Sequence, residues 1–165
     1  MLTTATLPSP LGPITLVLRG ETIVICEFAD RAARVVRQLE TFFPGETPTE
    51  GTAPSTIANA FEAYFKGNRD ALNGLETDPL GTPYERRVWD ALRDIPAGNT
   101  TSYGAMAQDL QSSPRAIGRA NGRNPVALIH PCHRVIGADG SLTGYAGGLE
   151  RKEWLLKHEG ALLAL

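Results

Sequence analysis

The sequence predicts an α+β protein built from two parts. A pair of β-branched runs near the N-terminus predicts a β-hairpin, and the apolar residues that follow recur at helical spacing. Residues 68–81 form a polar stretch with no clear period, and the pattern beyond it is mostly helical. The predicted domains are therefore residues 1–79, which include most of this linker, and residues 80–165.

The first part contains the hairpin and two helices. The hairpin strands are residues 14–18 and 22–26, joined by a short turn that contains a glycine. A helix is predicted from about residue 32 to residue 43, where a Pro-Gly pair ends it. After a polar loop, a second helix is predicted over residues 55–65.

The second part opens with a clear helix start. Thr82 supplies a capping hydroxyl, a proline occupies the first helical position, and Glu85 completes a capping box. This helix is predicted to end at residues 96–98. The last helix is predicted from about residue 149 to residue 158, with Gly160 as its C-cap.

Between these two helices lies the outline of a helix-turn-helix. Short helices are predicted at residues 102 to about 110 and 114 to about 120, with residues 111–113 as the turn. The second of them is rich in Arg, Ala and Gly. Small residues let a backbone approach a partner closely, and arginines favour phosphate. An ordinary pair of packed helices has the same outline.

The segment after the helix-turn-helix leads to a cysteine. Residues 126–129 predict a buried strand, followed by HPCHRVI at residues 130–136. A glycine-dense loop over residues 137–148 comes next and contains Tyr145. Cys132 is therefore expected at the end of a buried strand and beside a glycine-rich loop.

Composition excludes several classes of protein. Hydrophobic residues make up 42% of the chain and charged residues 21%, which is typical of a folded globular protein and not of a disordered one. The apolar runs are too short to span a membrane, and no leader-like block is visible at the N-terminus. Two cysteines without a leader favour a reducing compartment, so the expected location is cytoplasmic.

Charge is distributed unevenly along the chain. Residues 1–79 hold six Lys/Arg against ten Asp/Glu, a balance of −4, and residues 80–165 hold ten against eight, a balance of +2. No acidic residue lies between Asp109 and Asp139, a stretch that holds four arginines. Such a stretch is typical of a surface that faces an anion, nucleic acid included, although a solvated face has the same composition.

The two cysteines differ in their surroundings. Cys26 lies inside the apolar run TIVICEF, where a free thiol acts as a small hydrophobic residue. Cys132 lies next to His133, with His130 and Arg134 two residues away. Because nearby positive charge or a base stabilises the nucleophilic thiolate, Cys132 is the candidate reactive residue.

Two other uses of Cys132 are open at this point. A zinc site is disfavoured because the histidines and cysteines lack CxxC or HxxxH spacing. A papain-like hydrolase needs a distant histidine, and His158 is the only candidate in this half of the sequence.

The motifs around Cys132 resemble a known family. NP at residues 124–125, PCHRV at residues 131–135 and GYAGGLERKEWLLKHEG at residues 144–160 closely resemble the O6-alkylguanine-DNA alkyltransferases, the methylated-DNA–protein-cysteine methyltransferases of direct DNA repair. The resemblance extends from about residue 82 to residue 160, and PCHRV is highly specific to this family.

The resemblance implies a fold and a mode of action. A small ribonuclease-H-like N-terminal domain would precede a winged-helix-like C-terminal domain that carries the site. Its helix-turn-helix would enter the minor groove of double-stranded DNA, and the alkylated guanine would be flipped out of the stack. The alkyl group would pass irreversibly to Cys132, once per molecule, with no cofactor and no metal, and the protein would act as a monomer. O4-alkylthymine is a further expected substrate.

The resemblance also implies roles for single residues. Cys132 would be the nucleophile, His133 its base acting through a water, and Glu159 the carboxylate that orients His133. Tyr103 would crowd the backbone phosphate during flipping and then hydrogen-bond the leaving base. Arg115 would fill the space that the base leaves. Further DNA contacts are expected from Ser102, Ala116, Arg119 and Arg123. Asn124 would be the hinge, and the base pocket would involve Pro131, the carbonyls of Cys132 and Val135, and the loop Tyr145-Ala146-Gly147.

Three features depart from the family pattern. Ala146 stands where some members have a serine, and His130 stands where a branched aliphatic residue is usual, either adding positive potential or only capping the strand. Third, the structural zinc ligands of some animal members are missing, since Cys26 is alone and the N-terminal half has no histidine. In addition, Tyr103 is two residues closer to Arg115 than in some longer members. A non-reactive sensor of alkyl damage on the same fold is the alternative function.

Overall fold

The computed structural model describes residues 1–162 and divides the chain into two units. One unit consists of Met1–Gly81 together with Pro125–Ile129. The other consists of Thr82–Asn124 and the residues from His130 onward. A boundary at a single point in the chain does not describe this division, because the segment just before His130 returns to the first unit.

The first unit is built on a four-stranded sheet in the order β3-β2-β1-β4. Strands β1, β2 and β3 pair antiparallel, and β4 pairs parallel with β1. The predicted hairpin is confirmed as β2 and β3, whereas β1 and β4 were not predicted. The strands are β1 (Leu2–Leu7), β2 (Ile14–Arg19), β3 (Thr22–Phe28) and β4 (Thr49–Glu50).

Two helices complete the first unit. Helix α1 covers Ala32–Phe42 and helix α2 covers Ser55–Phe65, so both predicted helices are confirmed. A single 3-10 turn, Ala29–Arg31, precedes α1. All but the first residue of β3 are buried, and Cys26 is fully buried. The Cys26 thiol therefore has the structural environment that its apolar run predicts.

The second unit is mainly helical. The predicted capping box is confirmed: the Thr82 side chain accepts from the Glu85 backbone, and the Glu85 side chain accepts from the Thr82 backbone. A short parallel pair of strands, β5 and β6, joins the helices. The elements are α3 (Pro83–Leu92), β5 (Thr101–Ser102), α4 (Tyr103–Asp109), α5 (Pro114–Gly122), a 3-10 helix (Cys132–Arg134), β6 (Val135–Ile136) and α6 (Leu149–His158).

The predicted strand over residues 126–129 is wrong. The run is buried, but only Val126 makes a bridge, to Cys26 of β3, and the following residues form turns. Leu128 has a φ of 73°, which is incompatible with an extended strand. The segment packs as a buried turn of the first unit.

No helix within residues 1–162 is both long enough and apolar enough to cross a membrane.

Candidate active site

Cys132 begins the 3-10 helix of the second unit and is 5% exposed. It belongs to an apolar cluster that includes side chains from three helices, such as Trp89 of α3, Met106 of α4 and Ile117 of α5. The backbone N–H of Cys132 donates to the carbonyl of His130 at 2.8 Å. Cys132 therefore lies on a tight turn that packs against the apolar side chains of α3, α4 and α5.

His133 and Glu159 form a hydrogen-bonded pair next to Cys132 in sequence. Nε2 of His133 lies 2.9 Å from Oε2 of Glu159, and both side chains are fully buried. Because the carboxylate only accepts, Nε2 carries the proton. The other ring nitrogen, Nδ1, has no hydrogen-bond partner among the described residues. The pair thus fixes a tautomer whose free nitrogen can accept a proton.

Arg134 completes this group. Its Nε donates to Oε1 of Glu159 at 2.8 Å and its Nη2 to Oε2 at 2.9 Å, a bidentate arrangement. Its Nη1 donates to the carbonyl of Ile95 at 2.6 Å. The guanidinium is therefore held at three points and supplies the charge that a buried carboxylate needs.

The electrostatics of the group favour an ionised Glu159 and a neutral His133. Burial alone would raise the pKa of the Glu159 carboxyl, but His133 and Arg134 hold it well below its usual range. Burial lowers the pKa of His133, and the charges of Arg134 and Lys152 lower it further against the pull of Glu159. A neutral imidazole at pH 7 is suited to act as a base.

Lys152 of α6 is a second buried cation near the thiol. Its ammonium donates to the carbonyls of Val135 at 2.6 Å, Thr143 at 2.9 Å and Gly144 at 3.2 Å. Burial lowers the pKa of Lys152 to about 8, and its interaction with Cys132 acts in the opposite direction. Lys152 is therefore charged at pH 7, where it favours a thiolate at Cys132.

Tyr103 of α4 packs against the apolar cluster that contains Cys132. Its hydroxyl donates to the carbonyl of Thr143 at 3.0 Å, and Nζ of Lys152 lies 5.9 Å from the centre of its ring. Burial raises the pKa of the Tyr103 phenol, and the interaction with Cys132 raises it as well. The structure thus brings Tyr103 into the same site as Cys132.

The predicted pocket residues surround the turn that bears Cys132. Asn124 Nδ2 donates to the carbonyl of His130 at 2.7 Å, and Pro131, the next residue after His130, is buried. The Tyr145 ring lies edge-on to His133, with 6.4 Å between the ring centres. The next two residues of that loop, Ala146 and Gly147, are half-buried and buried.

Both carbonyls predicted to hold the base already accept hydrogen bonds within the protein. The carbonyl of Cys132 accepts from Asn121 Nδ2 at 3.2 Å and from the backbone of Val135. The carbonyl of Val135 accepts from Lys152. Each carbonyl oxygen is therefore fixed in direction by a buried side chain.

The predicted DNA-contacting residues lie on the helix-turn-helix and just beyond it. The side chain of Ser102 caps α4 by accepting from the Ala105 backbone at 3.0 Å. Along α5 and at its end, three arginines are exposed and Ala116 is half-buried; the arginines are Arg115, Arg119 and Arg123. Arg123 Nη1 lies 3.6 Å from Oε2 of Glu85, so the exposed Arg123 forms a long ion pair with a mostly buried carboxylate.

His130 makes a structural contact. Its Nδ1 lies 2.7 Å from the carbonyl of Trp89, so Nδ1 carries the donated proton. Burial lowers the pKa of His130, with Arg93 adding to the effect. A neutral His130 contributes no positive potential at pH 7, and there is no strand here for it to cap.

Three residues of the site were not predicted from the sequence: Arg134 as the partner of Glu159, Lys152, and Asn121. The sequence does contain a signal for Lys152. Residues 152, 155, 156 and 159 lie at helical spacing on one face, and the two leucines among them predict that this face, and so Lys152, is buried. Asn121 lies on the buried face of α5 and had no signal beyond its helical position. Within residues 1–162, no group of three or more His, Cys, Asp or Glu side chains could hold a metal ion.

Comparison with known proteins defines the class of each half of the chain. Residues 2–79 match the family model described as the ribonuclease-like domain of 6-O-methylguanine DNA methyltransferase. Residues 83–161 match the model described as the DNA binding domain of the same protein.

Relatives and solved structures agree with these matches. A methylated-DNA–protein-cysteine methyltransferase of Salmonella typhimurium is 43% identical over 161 residues, which cover 94% of each chain. The crystal structure of O6-methylguanine methyltransferase from Mycobacterium tuberculosis matches with a TM-score of 0.81 and 38% identity, covering 98% of this chain and 94% of that one. The M. tuberculosis OGT in complex with DNA matches with a TM-score of 0.82 and 40% identity, over 96% of this chain and 93% of that one. The chain belongs to the family of methylated-DNA–protein-cysteine methyltransferases.

Proposed function

We propose that the protein repairs DNA directly by moving the alkyl group of O6-alkylguanine onto Cys132. The observation that carries this function is the buried Cys132 turn, which lies beside the His133–Glu159–Arg134 group in the unit that also holds the helix-turn-helix. A thiol, a neutral base and an ionised orienting carboxylate are the parts that nucleophilic displacement needs.

The transfer is a single displacement at the alkyl carbon. The bond between Cys132 Sγ and the alkyl carbon forms as the bond between that carbon and O6 of guanine breaks. The thiol proton passes to Nδ1 of His133, through a water in the reactive complex, and Glu159 stabilises the imidazolium that results. The departing guanine takes up one proton from solvent, and the His133 imidazolium releases the thiol proton to solvent, so that one proton leaves Cys132, one reaches the guanine and His133 is neutral again.

Tyr103 acts on the base that leaves. Its hydroxyl is in the same site as Cys132 and is kept protonated by burial, which raises the pKa of the phenol. A protonated phenol can donate a hydrogen bond to the departing guanine. Lys152 donates to the carbonyl of Thr143, which also accepts from the Tyr103 hydroxyl, and to the carbonyl of Val135.

The helix-turn-helix presents α5 to the minor groove of double-stranded DNA. Exposed arginines bind phosphates without regard to sequence, and a half-buried alanine lets the helix backbone approach the groove. Arg115, at the start of α5, fills the space left when the alkylated base turns into the site. Binding to undamaged DNA is then modest and falls with salt.

Each molecule reacts once, because the thioether on Cys132 has no neighbouring group that could hydrolyse it. The protein works as a cytoplasmic monomer without a cofactor, on O6-alkylguanine and also on O4-alkylthymine. Its two domains are the ribonuclease-like residues 1–79 and the DNA-binding and transfer residues 80–165, except that Pro125–Ile129 pack with the first domain.

Counting repaired bases tests this function. A duplex with one O6-methylguanine is kept in excess over the protein, and restored guanine is measured until the reaction stops. We expect a plateau at one guanine per chain. Continued turnover would contradict a stoichiometric transferase, and tight duplex binding with no restored guanine would instead favour a non-reactive sensor of alkyl damage.

A further inference from the structure

Asn121 is a buried polar residue on the inward face of α5. It shares that face with Ile117 and Ala120, which belong to the apolar cluster around Cys132, and it is 6% exposed. Its Nδ2 donates to the carbonyl of Cys132 at 3.2 Å. Because a carbonyl only accepts, this hydrogen bond fixes the amide orientation and directs Oδ1 elsewhere.

Stability does not explain an asparagine at this position. The carbonyl of Cys132 also accepts from the backbone N–H of Val135, so it stays satisfied without Asn121. The Oδ1 atom of Asn121 is buried and has no hydrogen-bond partner among the described residues. Burying an unpaired amide oxygen destabilises a fold, and a leucine on this apolar face would avoid that cost. A buried group of this kind calls for another explanation.

The contacts of Asn121 supply that explanation. Its amide donates to the Cys132 carbonyl, and α5 packs against Tyr103, since a Cβ built at Gly118 would lie 3.9 Å from the Tyr103 ring. The interaction of Asn121 with Tyr103 lowers the phenol pKa against the larger effect of burial. Asn124, three residues further along the chain, holds the carbonyl of His130. Asn121, near the end of α5, and Asn124, just beyond it, therefore hydrogen-bond the backbone of the Cys132 turn after and before Pro131.

We propose that Asn121 is a positioning residue for alkyl transfer, which holds the Cys132 turn in register with the Tyr103 hydroxyl and so ties α5 to the reacting groups. The proposal rests on the proposed function, since it concerns the same transfer step. Displacement at carbon needs the nucleophile in line with the bond that breaks, and small misplacements slow such steps strongly. Loss of Asn121 therefore slows the chemical step and leaves DNA binding unchanged.

Single-turnover kinetics on a duplex containing O6-methylguanine test the proposal. The variants are Asn121→Leu and Asn121→Ala, and the control is Ile57→Val, which removes a buried methyl group from α2 of the first unit without removing a hydrogen bond. We expect Asn121→Leu to lower the limiting rate constant by roughly 10- to 100-fold. Its apparent Kd for the duplex stays at the wild-type value, and its Tm is equal to or above that of the wild type because the unpaired Oδ1 is gone. Ile57→Val lowers Tm and leaves the limiting rate constant unchanged.

Three results would overturn the proposal. One is a wild-type limiting rate constant in both Asn121 variants. The second is a loss of rate in proportion to a loss of Tm in Asn121→Leu and Ile57→Val alike, because that is the behaviour of a merely structural residue. The third is a weakened duplex Kd as the main effect. If the wild-type protein itself removes no methyl group, the proposed function fails, and this proposal fails with it for a distinguishable reason.

Discussion

Arg134 holds both carboxylate oxygens of Glu159, and one of those oxygens also accepts from His133. The orientation of the His133 ring therefore depends on a guanidinium that is itself anchored to the carbonyl of Ile95. His133 as the base, Glu159 as its orienting carboxylate and Arg134 as the counterion form one buried group, in which His133 and Arg134 both donate hydrogen bonds to Glu159.

Removing the counterion should destabilise the fold. Arg134→Met leaves Glu159 as a buried carboxylate without its bidentate partner, and we expect a loss of about 3–5 kcal/mol in the free energy of unfolding. Urea denaturation measures it. The control Lys157→Met removes an exposed partner of Glu153 on α6 and should cost less than about 0.5 kcal/mol. Equal losses in the two variants would show that Arg134 does not neutralise Glu159.

Stability should fall as the pH drops below about 6.5. His133 and His130 both have pKa values lowered by burial, so the unfolded chain takes up protons that the folded chain does not. Where the unfolded state binds more protons, stability rises with pH, and it therefore declines on acidification through this window. Thermal unfolding between pH 7 and pH 5 measures the slope. His130→Leu should reduce it, and an unchanged slope would mean that His130 stays accessible to protons in the folded state.

Lys152 should stabilise the loop at residues 143–147 and contribute to the pH dependence of transfer. Lys152→Met keeps a long apolar stem but leaves the carbonyls of Val135, Thr143 and Gly144 without their donor. We expect faster hydrogen exchange in residues 143–147 and slower transfer at pH 7. Because burial sets the pKa of Lys152 at about 8, its contribution to transfer should be lost above that pH. The variant and the wild type should therefore converge at high pH, and a constant ratio of their rates across pH 6.5–9.5 would contradict this role.

How far the sequence predicts this protein depends on how local each signal is. Helix α3 is predicted well because its start is encoded by Thr82 and Glu85, which satisfy each other within one turn. Strands β4, β5 and β6 are two residues long and exist only through their pairing partners, so no local pattern indicates them. The run at residues 126–129 is apolar because it is buried, but burial alone does not distinguish a strand from a turn with Leu128 at positive φ.

The same distinction holds for the site. Cys132 and His133 are adjacent in the chain, so the local sequence around Cys132 is enough to indicate a reactive thiol. Glu159 was expected only from the family resemblance, and its counterion Arg134 requires the fold, because 25 residues separate the two. Asn121 is recognisable only when its contact with the carbonyl of Cys132 is seen.

Arg115 should matter for duplex DNA and not for a free base. It is exposed at the start of α5, where we propose that it fills the space of the flipped base. Arg115→Ala should slow methyl transfer from the duplex much more than transfer from free O6-methylguanine, with Arg119→Ala as the control for lost positive charge. Equal losses on the two substrates would contradict a role in flipping.

Intact-protein and peptide mass spectrometry after reaction with a duplex containing one O6-methylguanine tests the central claim most directly. The chain has two cysteines, Cys132 in the site and Cys26 buried in β3, and neither forms a disulfide. We predict one added methyl group per chain, found on the peptide that contains Cys132, and none in Cys132→Ala. A methyl group on the Cys26 peptide, or an unmodified protein beside repaired DNA, would contradict transfer to Cys132.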